Sequence, residues 1–241
     1  MQLIFDFPVN PKFGFDNFVV CAGNKTAYHF ARQLAEGDGT ENLLYLYGPT
    51  GSGKTHLLTA MANSICRESG LDGIPSISFK NIDELYRGYY PAEETSKLAE
   101  RFSDAPALLV DDIHLIPDND SIRVELWQLF NDFYTAGKKI AITGLNPPKE
   151  LPHLDGHLTS RLLWGLVTKL DISGDESLRM ILQKLAEDRQ VFLPEDVIAH
   201  LLVHIRRDIP SQLNALEQIR RHAIATKRKI SLRQAKDALQ R

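Results

Sequence analysis

A chain of 241 residues with 43% hydrophobic content can build one large core, or one domain with a small satellite. Its net charge of −3, with 24% of residues charged, leaves no basic excess to grip nucleic acid unaided, so direct sequence-specific DNA binding is not expected. The two cysteines, Cys21 and Cys66, fit neither metal nor disulfide spacing and point to a reduced, cytoplasmic setting. No apolar run approaches the roughly 20 residues of a membrane span, and the N-terminus lacks the pattern of a secretory leader.

Residues 1–12 read as a tail: Gln2-Leu3-Ile4-Phe5-Asp6-Phe7, then Pro8 and Pro11. The prolines disfavour a helix or a central strand. Two readings stand. One is an edge strand packed on its own domain. The other is a short extended peptide, with Gln2, Leu3, Phe5 and Phe7 docking into a partner's apolar groove.

Phe15-Asp16-Asn17-Phe18-Val19-Val20 follows, then a helical stretch from Asn24 to about Glu36 and a break at Gly37-Asp38-Gly39. Leu43 to Tyr47 is an apolar strand. It runs into Gly48-Pro49-Thr50-Gly51-Ser52-Gly53-Lys54-Thr55, which fits G-x-x-x-x-G-K-[ST], the phosphate-cradling P-loop. Missing side chains let successive N–H groups converge on one anion, and the following helix aims its partial positive charge at the same point. Lys54 adds a full positive charge for the β/γ phosphates, and Thr55 offers a hydroxyl to Mg²⁺. Leu57, Leu58, Met61 and Ile65 repeat at helical spacing as far as Arg67.

Pro75 to Phe79 predicts a second strand. Asn81 or Asp83 caps a short helix into Tyr86, and Pro91 to Phe102 reads as a polar helix. Ala107-Leu108-Leu109-Val110-Asp111-Asp112 is an apolar strand ending in two carboxylates. Beside a P-loop, the first acid holds Mg²⁺ through water and the second is placed to orient an attacking water. The alternative, that the pair merely opens a turn, is disfavoured by the P-loop about 60 residues upstream.

Ile122, Leu126, Leu129, Phe130 and Phe133 form an apolar helical face. Lys138 to Thr143 is a strand with a solvated basic entry, closed by Gly144-Leu145-Asn146-Pro147-Pro148. Ser160-Arg161-Leu162 follows, with Trp164 expected in the core, and a last strand spans Val167 to Leu170. Strands alternating with helices imply a mostly parallel α/β sheet covered on both faces. From Ile172 the pattern is helical only. Ser173 with Glu176 fits a capping box, Pro194 starts a second helix, Pro210 sits in the first turn of a third, and Ser231 caps the last. The expected layout is therefore a tail at 1–12, an α/β nucleotide-binding domain at 13–171 and a helical lid at 172–241.

These motifs together resemble the AAA+ module of the DnaA/Hda family. The resemblance rests on Phe15 to Val20, Gly48 to Leu57, Leu109-Val110-Asp111-Asp112-Ile113-His114, Ile142 to Leu151 and Ser160 to Gly165. It implies ATP or ADP with Mg²⁺ on Gly48 to Thr55 and Asp111, and Asp112 at the place of the catalytic acid. Arg161 would be the arginine finger that reaches a neighbouring subunit's γ-phosphate. Phe18, Val19 and Asn24 would border the adenine. DnaA itself would continue into a DNA-reading helix-turn-helix domain. A chain ending after the lid is similar to Hda-type regulators of the initiator, in which an N-terminal peptide binds the replicative polymerase's sliding clamp. DnaA, the clamp and a homo-oligomer are the partners this implies. The family carries an acidic sensor where this chain has Leu145 and a lid arginine where it has Pro210. Arg206 and Arg207, one turn earlier, are the candidates to stand in for that arginine. Nucleotide binding is expected to survive these departures, and hydrolysis by this chain alone is expected to be weak or absent; the alternatives are a stand-alone AAA+ ATPase that acts on DNA or loads a helicase, and a scaffold with a vestigial nucleotide site.

Overall fold

The apolar runs around the two motifs become neighbouring strands of one sheet. The computed structural model describes residues 13–37, 39–79, 102–151, 154 and 156–239, and the backbone of 4–8. The described elements are β1 (Ile4–Pro8), α1 (Lys25–Glu36), β2 (Leu43–Tyr47), α2 (Lys54–Ser69), β3 (Gly73–Ser78) and β4 (Ala107–Asp111). Next come α3 (Asp120–Thr135), β5 (Lys139–Gly144), α4 (Gly156–Leu162) and β6 (Leu166–Lys169). Four helices follow: α5 (Asp175–Glu187), α6 (Glu195–His204), α7 (Ile209–Thr226) and α8 (Leu232–Leu239). The helices expected after Asn81 or Asp83 and from Pro91 fall on residues 80–101, outside the described residues.

The strand order is β1-β3-β4-β5-β2-β6. The five strands from β2 to β6 pair in parallel. β1 alone is antiparallel, with Phe5 opposite Ser76 and Phe7 opposite Ile74. Of the two readings of the tail, the edge strand is the one seen for Ile4–Pro8. Gln2 and Leu3 lie outside the described residues.

Strand alternation explains why the central runs are apolar throughout. Leu43 and Tyr45 of β2, Leu108 and Val110 of β4, and Ile140 and Ile142 of β5 enter one core with Leu126, Phe130 and Phe133 of α3. Leu44, Leu46, Leu109 and Ala141 face the opposite way, onto Ala31 and Leu34 of α1 and Leu57, Met61 and Ile65 of α2. Both faces are dry, so alternation gives way to continuous hydrophobic runs. Helix α3 starts at Asn119, whose side-chain oxygen accepts from the N–H groups of Ser121 (2.9 Å) and Ile122 (3.3 Å). Asn119→Ala is expected to cost about 1 kcal/mol, read as a fall of roughly 2–4 °C in Tm. An unchanged Tm would mean that the cap contributes nothing.

The chain divides into two units. The first comprises Met1–Phe18, Lys25–Gly48 and Gly53–Leu170, and the second Val19–Asn24, Pro49–Ser52 and Asp171–Arg241. The second has its own core, in which Leu178, Leu182, Leu201, Leu216, Ile219 and Ala235 from α5 to α8 meet. Gln212 on α7 is fully buried, and its Nε2 donates to the carbonyls of Leu201, Ile205 and Arg206 at 3.0–3.3 Å. That adds a donor to carbonyls at and just past the C-terminal end of α6 from a neighbouring helix. Asp208 caps α7 by accepting from Ser211 N, which places Pro210 in the first turn as expected. Ser231 Oγ accepts from Gln234 N at the start of α8. The capping box of Ser173 and Glu176 does not form. Ser173 N and Oγ instead donate to Asp171 Oδ1 (3.0 and 2.7 Å), which fixes the hydroxyl on the loop side, and α5 starts from Gly174 without a side-chain cap.

Candidate functional site

The parallel pairing of β4 with β5 sets the acidic corner of the site. Thr143 stands beside the end of β4, and its hydroxyl donates to Asp111 Oδ1 at 2.6 Å while accepting from the Asp112 N–H at 2.9 Å. The other Asp111 oxygen accepts from Thr55 Oγ1 at 2.9 Å. The buried Asp111 and Thr143 at the strand ends therefore form one polar cluster with the exposed Thr55 at the start of α2. The expected pair, Thr55 and Asp111, is brought together across 56 positions of sequence. Thr143 was not foreseen. A threonine in Ile-Ala-Ile-Thr reads as ordinary β-branched strand filler, and only its polarity at the strand's end hinted otherwise.

Asp111 is 3% exposed. Burial pushes its carboxyl above the ordinary value of 3.8, partly opposed by the Thr143 and Thr55 hydroxyls and by Lys54, with Asp112 adding repulsion. The folded state thus holds this proton to higher pH than the unfolded chain does. Its contribution to stability is lost as pH rises from 3.8 through the raised value. Without a cation, the ionised carboxylate is a net cost at neutral pH. Asp111→Asn is accordingly expected to raise the Tm of the nucleotide-free protein at pH 7, measured by calorimetry, and a lowered Tm would refute the sign of this burial effect. The same variant is expected to lose any extra stabilisation that Mg²⁺ gives with nucleotide.

Asp112 takes the left-handed conformation (φ 55°), which aspartate tolerates better than most residues, and opens the single turn Ile113–Leu115. Its carboxylate lies 3.9 Å from His114 Nδ1. Burial pushes the His114 imidazole below its ordinary pKa, so near neutrality this is a contact with a neutral ring rather than an ion pair.

In the phosphate loop, Lys54 is buried and its Nζ donates to the Gly48 carbonyl at 2.8 Å. Gly53 (φ 100°) leads into α2, and a Cβ there would come within 2.8 Å of the Phe18 ring. Phe18 in turn stacks on Tyr28 and meets the edge of His56 at 5.1 Å. His56 also secures the stretch ahead of it, because its Nε2 faces the Gly14 carbonyl and Asn17 Oδ1, each at 3.0 Å. Two acceptors at one nitrogen place the proton on Nε2. This role of His56 was not foreseen either. At the loop tip, within the second unit, Ser52 N donates to Pro49 O at 3.1 Å. A Cβ on Gly51 (φ 80°) would come within 2.8 Å of Pro210 Cδ and 2.9 Å of Ile209 Cβ. Pro49 and Thr50 are exposed. Ser52 Oγ is buried and has no hydrogen-bond partner among the described residues.

Asn24 is buried and turned inward: its Oδ1 accepts from Cys21 N (2.8 Å) and its Nδ2 donates to Val19 O (2.9 Å). Its side chain therefore shapes the 19–24 loop rather than offering a free edge. Leu145 is 38% exposed. Arg206 pairs with Asp208 at 3.4 Å and Arg207 with Asp175 at 2.8 Å, so both candidates to stand in for the lid arginine are already engaged.

Arg161 lies in the last turn of α4, away from this acidic corner in its contacts. Its guanidinium carbon is 5.1 Å from the Trp127 ring centroid and 5.3 Å from that of Trp164. It forms no ion pair with the described residues. Trp164, expected in the core, is 53% exposed. It follows α4 in a turn closed by Trp164 N donating to Arg161 O at 2.9 Å, which keeps the ring at the surface beside the arginine.

The chemistry of the donor set fits Mg²⁺ with a nucleotide phosphate. Thr55 and Asp111 are hard oxygen ligands suited to a cation that keeps most of its shell as water and phosphate oxygen. The buried Lys54 ammonium fits an anion at the start of α2, and in the second unit the Ser52 Oγ, buried without a described partner, fits a polar ligand. When bound, such an ion neutralises phosphate charge, and Thr55 and Asp111 would hold it.

A five-stranded parallel sheet carrying a G-x-x-x-x-G-K-[ST] loop, a strand-end Asp-Asp and a following helical unit defines a P-loop module of the AAA+ class. The family description "Bacterial DnaA ATPase domain" matches residues 9–169, and "Hda, lid domain" matches residues 175–239. The chain belongs to the bacterial DnaA ATPase-domain family. Chromosomal replication initiator protein DnaA of Caldanaerobacter subterraneus is 31% identical over 96% of this chain, and that of Thermus thermophilus 33% over 90%. The chain spans about half the length of these relatives, 52% and 49%. Domain III of the Thermotoga maritima replication initiation protein DnaA matches with a TM-score of 0.80 at 29% identity, covering 97% of this chain and 98% of that one. AMPPCP-bound DnaA from Aquifex aeolicus matches in fold, with a TM-score of 0.72 at 24% identity over 88% of this chain and 66% of that one. No helix among the described residues is long and apolar enough to cross a membrane.

Proposed function

We infer that this chain is an Hda-like regulator of replication initiation. It binds ATP or ADP with Mg²⁺ on Gly48 to Thr55 and Asp111. It docks head-to-tail on the ATP-bound AAA+ module of DnaA and presents Arg161 to the γ-phosphate held there. Hydrolysis then occurs in the partner's site, which makes the chain an activating factor more than an enzyme. Its own turnover is weak, because Leu145 and Pro210 supply no charge where the family does. The observation that carries the reading is Arg161 itself: a cation at the end of a short helix, beside an exposed tryptophan, with no described carboxylate neutralising it. Arginine and tryptophan are the residue types that dominate binding hot spots.

The N-terminal segment, with Gln2, Leu3, Phe5 and Phe7, is the tether to the sliding clamp. A tether raises effective concentration near replicating DNA without any new contact on DnaA. The pairing of β1 with β3 favours a second role for the same segment, as the sheet's edge strand. Deleting residues 1–7 separates the two. Clamp pull-down is expected to vanish, and unchanged pull-down would remove the tether from the account. The accompanying change in Tm measures what the strand adds to the sheet. The decisive experiment is ATP hydrolysis by DnaA with and without this chain, each with and without DNA-loaded clamp. Stimulation is expected, and strongest with the clamp. Equal turnover in all four mixtures would overturn the proposal.

A further inference from the structure

Arg161 is held in an unusual way for a half-buried cation. Long charged side chains on a surface are commonly restrained by a carboxylate, which also cancels their charge. Here two aromatic rings supply the restraint: Trp127 of α3 and Trp164 of the turn after α4 lie within cation–π distance of one guanidinium. Each ring is braced. Trp127 packs against the first unit's core beside Leu126 and Phe130, and its Nε1 is buried with no partner among the described residues. Trp164 leans on Tyr134 at 5.5 Å, and Tyr134 stacks on the fully buried Phe130 at 5.9 Å with an interplanar angle of 9°. Residues 127, 130 and 134 share one stripe of α3, so a single helix face supports both jaws.

The geometry points to Trp127 and Trp164 as positioning residues for Arg161, a π-clamp that limits the side chain's rotamers while leaving its charge whole for a phosphate. The clamp rests on the arginine-finger reading given above. It adds that the finger is preorganised by two residues that touch no nucleotide. Preorganised charge needs no rearrangement when the reacting group arrives, and small misplacements of such a group lower rates steeply. The jaws differ in a testable way. Trp127 is half-buried against the core and acts on orientation alone. Trp164 is exposed and would also be covered by a docked partner.

These are the chain's only two tryptophans, so its indole emission reports the clamp and nothing else. The full chain, wild type and Arg161→Met, is compared by tryptophan fluorescence without any partner. Removing the guanidinium from between the rings is expected to change emission intensity and maximum, and an unchanged spectrum would overturn the clamp. Trp127→Leu and Trp164→Leu are then assayed as stimulators of DnaA hydrolysis, with Trp127→Phe and Trp164→Phe as aromatic rescues and circular dichroism as the folding check. Trp127→Leu is expected to lower the maximal stimulated rate about 10-fold with the half-saturating concentration unchanged. Trp164→Leu is expected to lower the maximal rate and raise that concentration as well. Phenylalanine at either position is expected to restore most of the rate. Wild-type stimulation by a folded Trp127→Leu chain would overturn positioning. If Arg161→Met stimulates like wild type yet its spectrum changes, the finger reading falls and the clamp stands.

Discussion

Arg161→Ala is expected to lower the stimulated hydrolysis of DnaA-bound ATP by about 10³-fold or more, the range over which arginine fingers act. Phosphate release from ATP-loaded DnaA mixed with the variant and DNA-loaded clamp measures it. The size of the effect follows from where the charge acts. A guanidinium aimed at the transferring phosphoryl group meets negative charge that grows in the transition state, in a site from which docking has excluded water. Arg161 is the cation at the tip of α4, and no described carboxylate pairs with it. Lysine should recover only part of the rate, because an ammonium lacks the planar fork and stacks less well between two rings. Clamp pull-down by the variant is expected to match wild type, since the proposed tether lies in another segment. Equal stimulation by variant and wild type would remove Arg161 from the reaction.

The second large effect concerns the chain's own nucleotide. Mg²⁺ with ATP or ADP at about 100 times its Kd is expected to stabilise the fold by roughly 2.7 kcal/mol. For a chain of this size that is a rise of roughly 5–10 °C in Tm. Lys54→Ala should abolish most of the rise. Lys54 is buried, and its Nζ has the Gly48 carbonyl as a partner. A bound phosphate would offer the ammonium an anionic partner, and an alanine offers nothing. A shift of the same size in wild type and Lys54→Ala would place the nucleotide elsewhere, and no shift in wild type would favour a scaffold with a vestigial loop.

How much of this could be read from the chain differs by element. The buried parallel strands were legible because both faces are covered, so Leu43 to Tyr47 and Ala107 to Asp111 are unbroken apolar runs. The loop and the Asp-Asp pair were legible because their chemistry needs fixed residue types at fixed spacing. Contacts between distant positions were not legible. Thr143 meets Asp111 only because β4 and β5 are adjacent. Trp127 meets Arg161 only because α3 packs beside α4, and residue type alone sent Trp164 to the core. A local contact also misled: Ser173 was expected to accept from the helix end, but its N–H and hydroxyl donate to Asp171, two residues back, and the helix starts one residue later. At the N-terminus the sequence supported two fates for one segment, and an unpaired edge on β3 was the fact it could not supply.

The close approach of Gly51 to Ile209 and Pro210 ties two distant positions into one unit of inheritance. A side chain at 51 would collide with the pyrrolidine ring, and a longer residue at 210 would have to fit against a loop tip shaped around that ring. Substitutions at the two positions therefore cannot add independently. A change at 51 is therefore felt differently depending on whether proline or a residue without the ring stands at 210.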